Sequence, residues 1–326
     1  MRSSVILAFV PAVLGCADPS SNSCASFIKA NVASCGTFLS TKITTTTNLP
    51  AWATACSNKP SAISKECTSV KTSAASSAAP ITTSKATPTT AGSGTTPTGI
   101  TTTLPTSQGA VSTSQPIPVS AGQNFDGGMK LYDRYPKVCA EQDETGEADT
   151  IFILEEGATI SNVIIGPGQA EGIHYKGTCT VNNVWWKDVC EDAITFKQSS
   201  GTSYINGGGA FAASDKIIQF NGFGTVNVKN FYAQDYGKVS RSCGNCSNNG
   251  GARHLIFDNV IARNGGAICG INGNYGDSCT ITNTCQNSGK NCDNYKGNNS
   301  GAEPSKVSSG NDGQYCKVAS SFTSSC

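Results

Sequence analysis

Two stretches, ATISNVIIG (residues 158–166) and CTVNNVWWKD (residues 179–188), carry the pattern that decides the fold. In each, an asparagine interrupts a run rich in β-branched and aromatic residues, which favour strands. The pattern recurs in TSYINGGG (202–209), TVNVKNFYAQD (225–235), HLIFDNVIA (254–262) and CTITNTCQN (279–287). The spacings between the six asparagines are 21, 23, 24, 29 and 24 residues, and the asparagines are Asn162, Asn183, Asn206, Asn230, Asn259 and Asn283. A repeat of this length predicts a solenoid.

A second set of short strands follows the same rhythm, in GIHY, AITF, KIIQF, KVS and AIC. Two strand signals in each period of about 22 residues predict that each period is one coil of an all-β parallel β-helix. Asparagine suits the sharp turn between strands because it tolerates the left-handed region, and stacked asparagines can bond to one another. A β-sandwich also has many short strands, but its hairpins need tight two-residue turns, which are not the rule here.

The chain begins with features of an exported protein. Arg2 precedes an apolar run at residues 5–15, which is shorter than the roughly 20 residues of a membrane-spanning helix. The run fits a signal peptide at residues 1–17, cut after Gly15 or Ala17. We therefore predict a secreted, extracellular protein that has no membrane partner. The formal net charge of +1 also gives no indication of nucleic acid binding.

Two segments separate the signal peptide from the solenoid. Residues 18–70 contain four cysteines and helix-like apolar spacing, which predict a small disulfide-linked helical module. In residues 71–120, 23 of the 50 residues are Ser or Thr and no acidic or aromatic residue occurs, so this stretch cannot form a core. We interpret it as a Ser/Thr/Pro-rich linker. The main β-helix domain is then expected at residues 121–326.

The 16 cysteines of a secreted chain predict disulfides. Cys243 and Cys246 have the spacing of a zinc motif, but neither a second such pair nor a histidine pair accompanies them. The main domain has 11 cysteines, so at least one is unpaired or pairs outside the domain. Residues 286–326, rich in Gly, Asn and Ser, are expected to form a loop-rich tail that disulfides hold over the last coil.

Four carboxylates are expected to meet on neighbouring coils. Asp188, Glu191 and Asp192 lie within five residues, and Glu171 lies 17 residues before Asp188. Such a group is repulsive unless a cation intervenes, and calcium takes carboxylate oxygens as ligands. The alternative is a solvated acidic face, because charged residues are mostly exposed.

Two cations follow on the next coils, Lys216 at the head of a strand and Arg241 one coil later. Both are expected on the same side of the solenoid as the carboxylates. A calcium site flanked by lysine and arginine suits an acidic polysaccharide such as a polyuronate. The alternative is that both are ordinary surface charges.

These residues also carry a resemblance. The strings FDGGMKLYDR, WWKDVCEDA and GKVSRSCGNC, at residues 125–134, 185–193 and 237–246, resemble the fungal pectate lyases of polysaccharide lyase family 3. The resemblance covers essentially all of residues 121–290. It implies a right-handed parallel β-helix that cleaves polygalacturonate by calcium-dependent β-elimination, as a monomer.

The resemblance also implies roles for particular residues. The implied calcium ligands are Glu171, Asp188, Glu191 and Asp192, although some family members have aspartate in place of Glu171. Lys216 and Arg241 match the catalytic lysine and arginine, and Lys238 in the same motif matches a substrate-binding lysine. We take Lys216 as the first candidate for the base that removes the C5 proton, and Arg241 as the second.

Two other functions remain open from the sequence. A pectin hydrolase needs a pair of carboxylates, which residues 188–192 could supply, but the Gly-His-Gly element expected of polygalacturonases is missing. A non-catalytic β-helix that binds cell-wall polysaccharide would not need both Lys216 and Arg241. His174 is interpreted as a packed strand residue. Of Trp185 and Trp186, which alternate across a strand, one is expected in the core and neither in the site.

Overall fold

The computed structural model describes residues 99–326. The predicted signal peptide, the cysteine-containing module and the first part of the linker, residues 71–98, lie outside the described residues. No helix among the described residues is long and apolar enough to cross a membrane. Two short 3-10 helices, at Glu147–Asp149 and Gly273–Tyr275, are the helices of this part of the chain.

The described chain is otherwise built from strands. In chain order they are β1 (Ala110–Thr113), β2 (Ile117–Val119), β3 (Asn124–Arg134), β4 (Phe152–Leu154), β5 (Thr159–Ile165), β6 (Ile173–Tyr175), β7 (Thr180–Trp186), β8 (Ile194–Phe196), β9 (Thr202–Phe220), β10 (Gly224–Ser242), β11 (Arg253–Gly265), β12 (Cys269–Asn272), β13 (Ser278–Thr282), β14 (Cys285–Gln286), β15 (Cys292–Lys296), β16 (Ser305–Ser309) and β17 (Cys316–Val318). Every pairing between these strands is parallel except that of β15 with β16. The all-β parallel β-helix is therefore confirmed.

One ladder of strands matters most for function, and we call it the site sheet. It runs from β2 through β4, β6 and β8, then the ends of β9 and β10, and finally β12 and β15. The long strands β9, β10 and β11 bend within their length, so each contributes to more than one face of a coil. Each coil adds one strand to the site sheet, and neighbouring strands lie about 4.8 Å apart.

The repeated asparagines occupy turns, as predicted, with one exception. Asn162, Asn183, Asn230, Asn259 and Asn283 have φ values between 47° and 57°, in the left-handed region. The Asn183 amide donates to Asn162 Oδ1 at 2.9 Å, and the Asn259 amide donates to Asn230 Oδ1 at 2.7 Å. Asn206 pairs in register with Asn182, one position before the turn, and Gly207 takes the left-handed turn instead. The prediction for Asn206 was therefore wrong by one residue.

A second ladder of turns was missed by the sequence analysis. Asp235 and Asn264 also have left-handed backbones, with φ values of 56° and 58°. The Asn264 amide donates to Asp235 Oδ1 at 3.1 Å, and the Asn287 amide donates to Asn264 Oδ1 at 3.1 Å. This ladder lets β10 and β11 bend without leaving their hydrogen-bond register.

The core fills the inside of the coils with one aromatic ring above another. Tyr175, Phe196 and Phe220 occupy the same register position on β6, β8 and β9 and are fully buried. The ring centroids of Tyr175 and Phe196 are 4.3 Å apart, and those of Phe196 and Phe220 are 5.8 Å apart. Edge-to-face contacts of this kind stabilise the stack beyond the burial of apolar area.

The solenoid begins earlier than the sequence predicted. Strand β1 pairs with β3, and β2 pairs with β4, although residues 110–119 were assigned to the linker. The composition of residues 110–119 is that of the linker, but their backbone groups pair with an edge strand of the first coils. At the other end β17 pairs in parallel with β13, so the tail adds a further strand.

Ten of the 11 cysteines at residues 121–326 form disulfides: Cys139–Cys190, Cys243–Cys246, Cys269–Cys279, Cys285–Cys326 and Cys292–Cys316. The eleventh, Cys179, is free and buried. This confirms the prediction that at least one cysteine of the domain has no partner within it. Because Cys243 bonds to Cys246, the zinc interpretation of that pair is wrong. Cys285–Cys326 holds the end of the predicted tail to the coils, and Cys292–Cys316 links two strands within the tail, β15 and β17. Trp185 and Trp186 are both buried, and Trp185 stacks on Phe211.

We expect Gly208→Ala to destabilise the solenoid by about 2–4 kcal/mol, measured by denaturant unfolding. Gly208 has φ +91°, and an added Cβ would lie 1.9 Å from the Val184 carbonyl oxygen of the coil below. Gly128→Ala is the matched control: φ there is +57°, but no atom lies within 4 Å of the added Cβ. That control should cost only about 1 kcal/mol. Equal losses for both variants would contradict the close stacking of the coils.

Candidate active site

Strand register brings four of the predicted site residues into one row. Ile173, Ile194 and Ile218 pair with one another across β6, β8 and β9. The residues two positions before them, Glu171, Asp192 and Lys216, therefore line up on consecutive coils and on the same face. Lys238 continues this row, because Lys216 and Lys238 are direct register partners on β9 and β10.

Lys216 is the centre of the row and is enclosed by carboxylates. Its Nζ lies 3.0 Å from Glu191 Oε1, 3.2 Å from Asp192 Oδ1 and 2.9 Å from Asp215 Oδ2. The Lys216, Glu191 and Asp192 side chains are buried, whereas Asp215 is exposed. Asp215 was not predicted, although it immediately precedes Lys216 in the sequence.

The carboxylates and burial act on the pKa values in opposite directions. Burial alone would lower the pKa of Lys216, but the charges of Asp192, Asp215 and Glu191 outweigh it and raise this pKa. Burial raises the pKa of Asp192 well above its ordinary value; Glu191 adds to the effect, and Lys216 opposes it. In this arrangement Lys216 is an ammonium group that serves as the counter-ion of the buried carboxylates.

A second acidic group adjoins the first. Single carboxylate oxygens of Glu144, Glu171 and Glu191 lie within 4.8 Å of one another. Glu144 is exposed, and it stands on the loop between β3 and β4, outside every repeat and motif in the sequence. Burial and the neighbouring Glu191 raise the pKa of Glu144.

Glu144 is brought to the site by a disulfide. Cys139, on the same loop, bonds to Cys190, which stands between Asp188 and Glu191 in the acidic motif. The Gln142 amide also donates to the Cys190 carbonyl at 2.6 Å. The position of Cys190 within the acidic motif was the available signal, but its partner could not be identified from the sequence.

Glu171 is held at both carboxylate oxygens. The backbone N–H and the hydroxyl of Thr145 each donate to Oε1 at 3.0 Å, and His174 Nε2 lies 3.2 Å from Oε2. Burial acts to raise the pKa of Glu171, but the hydrogen bonds from His174 and Thr145 outweigh it, and the pKa is lowered. Glu171 is therefore an oriented, ionised carboxylate.

His174 has a defined tautomer. Lys197 Nζ lies 3.1 Å from His174 Nδ1, and an ammonium group only donates hydrogen bonds, so Nδ1 is the acceptor. The proton consequently sits on Nε2, which donates to Glu171. His174 is a packed residue of β6, as interpreted from the sequence, and its side chain also contacts Glu171, a predicted metal ligand.

The predicted ligands do not all fall in one close group. Glu171 and Glu191 belong to the group of three with Glu144, whereas Asp192 is the ion-pair partner of Lys216. Asp188 is half-buried and follows β7, while Glu191 and Asp192 lead into β8 on the site sheet. Asp188 nevertheless stands only three residues before Glu191, and its Oδ1 is buried.

Arg241 stands one coil further along the site sheet, paired in register with Gln219 and Gly270. Its guanidinium donates to the Ser242 carbonyl at 2.8 Å and to Asn272 Oδ1 at 3.1 Å, and it lies 4.1 Å from the centre of the Tyr295 ring. Burial lowers the pKa of Arg241. The guanidinium is therefore fixed in direction before any substrate arrives.

The donor set fits calcium. All candidate ligands are carboxylate oxygens, which calcium prefers. Glu191 Oε2 is buried and has no hydrogen-bond partner among the described residues, which is costly unless a cation satisfies it. Glu144, Glu171 and Glu191 could therefore share an ion, with Asp192 beside them.

Comparison with known proteins identifies the family of the chain. Residues 101–302 match the pectate lyase family. Probable pectate lyase F of Aspergillus terreus is 52% identical over 198 residues, which cover 60% of this chain and 84% of that protein. Pectate lyase H of Emericella nidulans is 46% identical over 213 residues, covering 64% of this chain and 80% of that protein.

Solved structures give the same result. The catalytic domain of pectate lyase PelI from Erwinia chrysanthemi superposes with a TM-score of 0.56 at 32% identity, covering 64% of this chain and 98% of that chain. PelI in complex with tetragalacturonic acid gives a TM-score of 0.55 at 33% identity, covering 64% and 71%. Neither the hydrolase nor the non-catalytic alternative gains support from these relatives. The chain therefore belongs to the pectate lyase family, with fungal members among its close relatives, and is a polysaccharide lyase.

Proposed function

We propose that this chain is a secreted, calcium-dependent pectate lyase that cleaves polygalacturonate by β-elimination and releases 4,5-unsaturated oligogalacturonides. The observation that carries the proposal is the row on the site sheet. Carboxylates able to hold a divalent cation contact Lys216, and Lys238 and Arg241 follow on the next strand of the site sheet; these three cations suit an anionic polymer. The complex of the related PelI with tetragalacturonic acid supports the substrate class.

Glu144, Glu171 and Glu191 are the proposed calcium ligands, with Asp192 able to complete the set. Asp188, predicted as a ligand, remains a candidate outside the close group. When bound, calcium would draw charge from the uronate carboxylate and offset the carboxylate charges that raise the pKa of Lys216. His174 and Thr145 hold Glu171 in one orientation, so that its ligand oxygens are pre-arranged.

Lys216 is the proposed base. The C5 proton of galacturonate lies alpha to a carboxylate and is weakly acidic. A neutral Lys216 amine takes this proton, the electron pair forms the C4–C5 double bond, and the C4–O4 bond breaks with its electron pair on O4. The leaving oxygen then takes up a proton. Arg241, already fixed by Asn272 and Tyr295, is placed to stabilise the charge that develops on the substrate carboxylate. Lys238 contacts the substrate as a further cation.

Export is supported by the chemistry of the domain. Five disulfides within residues 121–326 need an oxidising compartment to form and persist. The polymer substrate is itself extracellular plant material, which a secreted monomer could reach.

The product identifies the reaction. We expect ultraviolet absorbance of the unsaturated product to rise when the chain acts on polygalacturonate at alkaline pH with calcium, and not with chelator. The matched assay counts new reducing ends, which elimination and hydrolysis both produce. Reducing ends without the absorbance would contradict elimination. The absence of both signals would contradict the proposal that the chain cleaves polygalacturonate.

We expect Glu191→Gln to weaken calcium affinity by at least about tenfold, measured by titration calorimetry on the metal-free protein. The amide keeps the size of the side chain but loses a charged ligand oxygen. Glu155→Gln is the control, because Glu155 is exposed and lies outside the acidic group. Equal calcium affinity of both variants and the native chain would contradict the assignment of the site.

Lys216→Ala is expected to lower kcat by about 10²–10⁴-fold with a smaller change in KM. Lys216→Arg distinguishes the two roles of Lys216, base and counter-ion. Arginine keeps the positive charge beside Glu191 and Asp192 but stays protonated and cannot act as a base. This variant should fold normally and be as inactive as the alanine variant. Lys187→Ala, an exposed change in the acidic motif at residues 185–193, should leave kcat unaffected.

The raised pKa of Lys216 gives this test a pH dependence. A group with a raised pKa loses its proton only at more alkaline pH, so the neutral amine becomes more abundant as pH rises. The native kcat should therefore increase with pH. Near-native activity of Lys216→Arg, or a kcat that falls as pH rises toward alkaline values, would contradict Lys216 as the base.

A further inference from the structure

A cavity of about 410 Å³ lies beside Lys238, on the side away from Asp192. Three lysines line it, Lys238, Lys290 and Lys306, together with one acidic side chain, Asp293. The rest of the lining is small: glycines, Ala267, Asn291, Cys292 and Ser309. We call this space the lysine groove.

The lysine groove continues the catalytic row. Ser240 pairs with Cys269, and Cys269 pairs with Cys292, across β10, β12 and β15. The residues two positions earlier, Lys238, Ala267 and Lys290, therefore fall in the same row as Glu171, Asp192 and Lys216. A polymer laid across the coils at Lys216 would pass directly into the groove, and Ala267 leaves room for it between the two lysines.

The charge of the groove is positive because its one carboxylate is already satisfied. Asp293 Oδ1 accepts hydrogen bonds from Lys306 Nζ at 2.6 Å and from Ser309 Oγ at 2.8 Å. The Tyr295 hydroxyl lies 3.4 Å from Asp293 Oδ2. Among residues 99–326, Lys290 Nζ donates to the Gly265 carbonyl at 3.3 Å and makes no ion pair, so no carboxylate of this part of the chain neutralises its charge. Lys238 makes no ion pair with any residue in the described range 99–326.

The outer wall of the groove comes from the tail. Strand β16 pairs antiparallel with β15 and carries Lys306 toward the cavity, and the Cys292–Cys316 disulfide fastens the tail beneath it. Lys306 lies beyond residue 302, where the match to the pectate lyase family ends.

We propose that the lysine groove binds uronate residues of the polymer beyond the bond that is cleaved, with Lys290 and Lys306 contacting their carboxylates. The inference rests on the proposed function for the substrate class. It adds that affinity depends on chain length, because only longer oligogalacturonates reach past Lys238. A neutral or highly methylated polymer would gain nothing from these two lysines.

The test measures binding without turnover, in a Lys216→Ala background with calcium present. Titration calorimetry compares a trisaccharide with a hexasaccharide of galacturonate, before and after Lys290→Ala/Lys306→Ala. We expect the double substitution to raise the Kd of the hexasaccharide about fivefold, since exposed charge pairs each contribute modestly. The Kd of the trisaccharide should not change. The hexasaccharide effect should shrink as salt is added, since salt screens exposed charges.

Lys317→Ala is the matched control, because Lys317 is an exposed tail lysine on β17, away from the site sheet. It should leave both affinities unchanged. An unchanged hexasaccharide Kd in the double variant, or equal weakening of both sugars, would overturn the proposal. Because binding is measured separately from product formation, a chain that binds in this manner but yields no unsaturated product would contradict only the proposed reaction.

Discussion

The arrangement of the site depends on the ion cluster around Lys216. Glu191 and Asp192 are buried, and two buried carboxylates are stable only if a cation compensates them. Lys216 supplies that cation from the next coil, with its Nζ about 3 Å from each carboxylate. The same contact gives the lysine a raised pKa. Under the proposed function, the residue that stabilises the folded site would also be the one that gives up its proton to act as the base, and a divalent ion on the carboxylates would resolve this conflict.

In the solenoid, residues that are about one coil apart along the chain lie next to each other on neighbouring strands. Glu171, Asp192, Lys216 and Lys238 are about one coil apart in sequence, yet strand register sets them in one row with the spacing of neighbouring strands. Each coil contributes one side chain, so the row carries negative charge at one end and positive charge at the other. An anionic polymer that lies across the coils meets each of these groups in turn. The lysine groove extends the positive end by two more coils.

Elements outside the regular coils complete the site. The loop that carries Glu144 and Thr145 reaches the acidic motif because Cys139 bonds to Cys190. His174 and Thr145 then fix Glu171, and Asn272 and Tyr295 fix Arg241. In each case a side chain with a proposed role in metal binding or catalysis is held in place by neighbours from outside its own strand. This matters because a lyase must present its cations and its base in a set geometry to a flexible polymer.

The sequence by itself determined the solenoid, since asparagine spacing and strand composition are local properties that repeat with the coil. It also predicted that Glu171, Asp188, Glu191, Asp192, Lys216 and Arg241 share one side, because residues about one coil apart take similar register. Only the tertiary structure decided that Glu144 joins Glu171 and Glu191 and that His174 holds Glu171. It likewise decided that Lys290 and Lys306 line the same groove as Lys238. These contacts depend on a disulfide partner and on the path of an irregular tail. Neither has a period along the chain, so no repeat in the sequence could predict them.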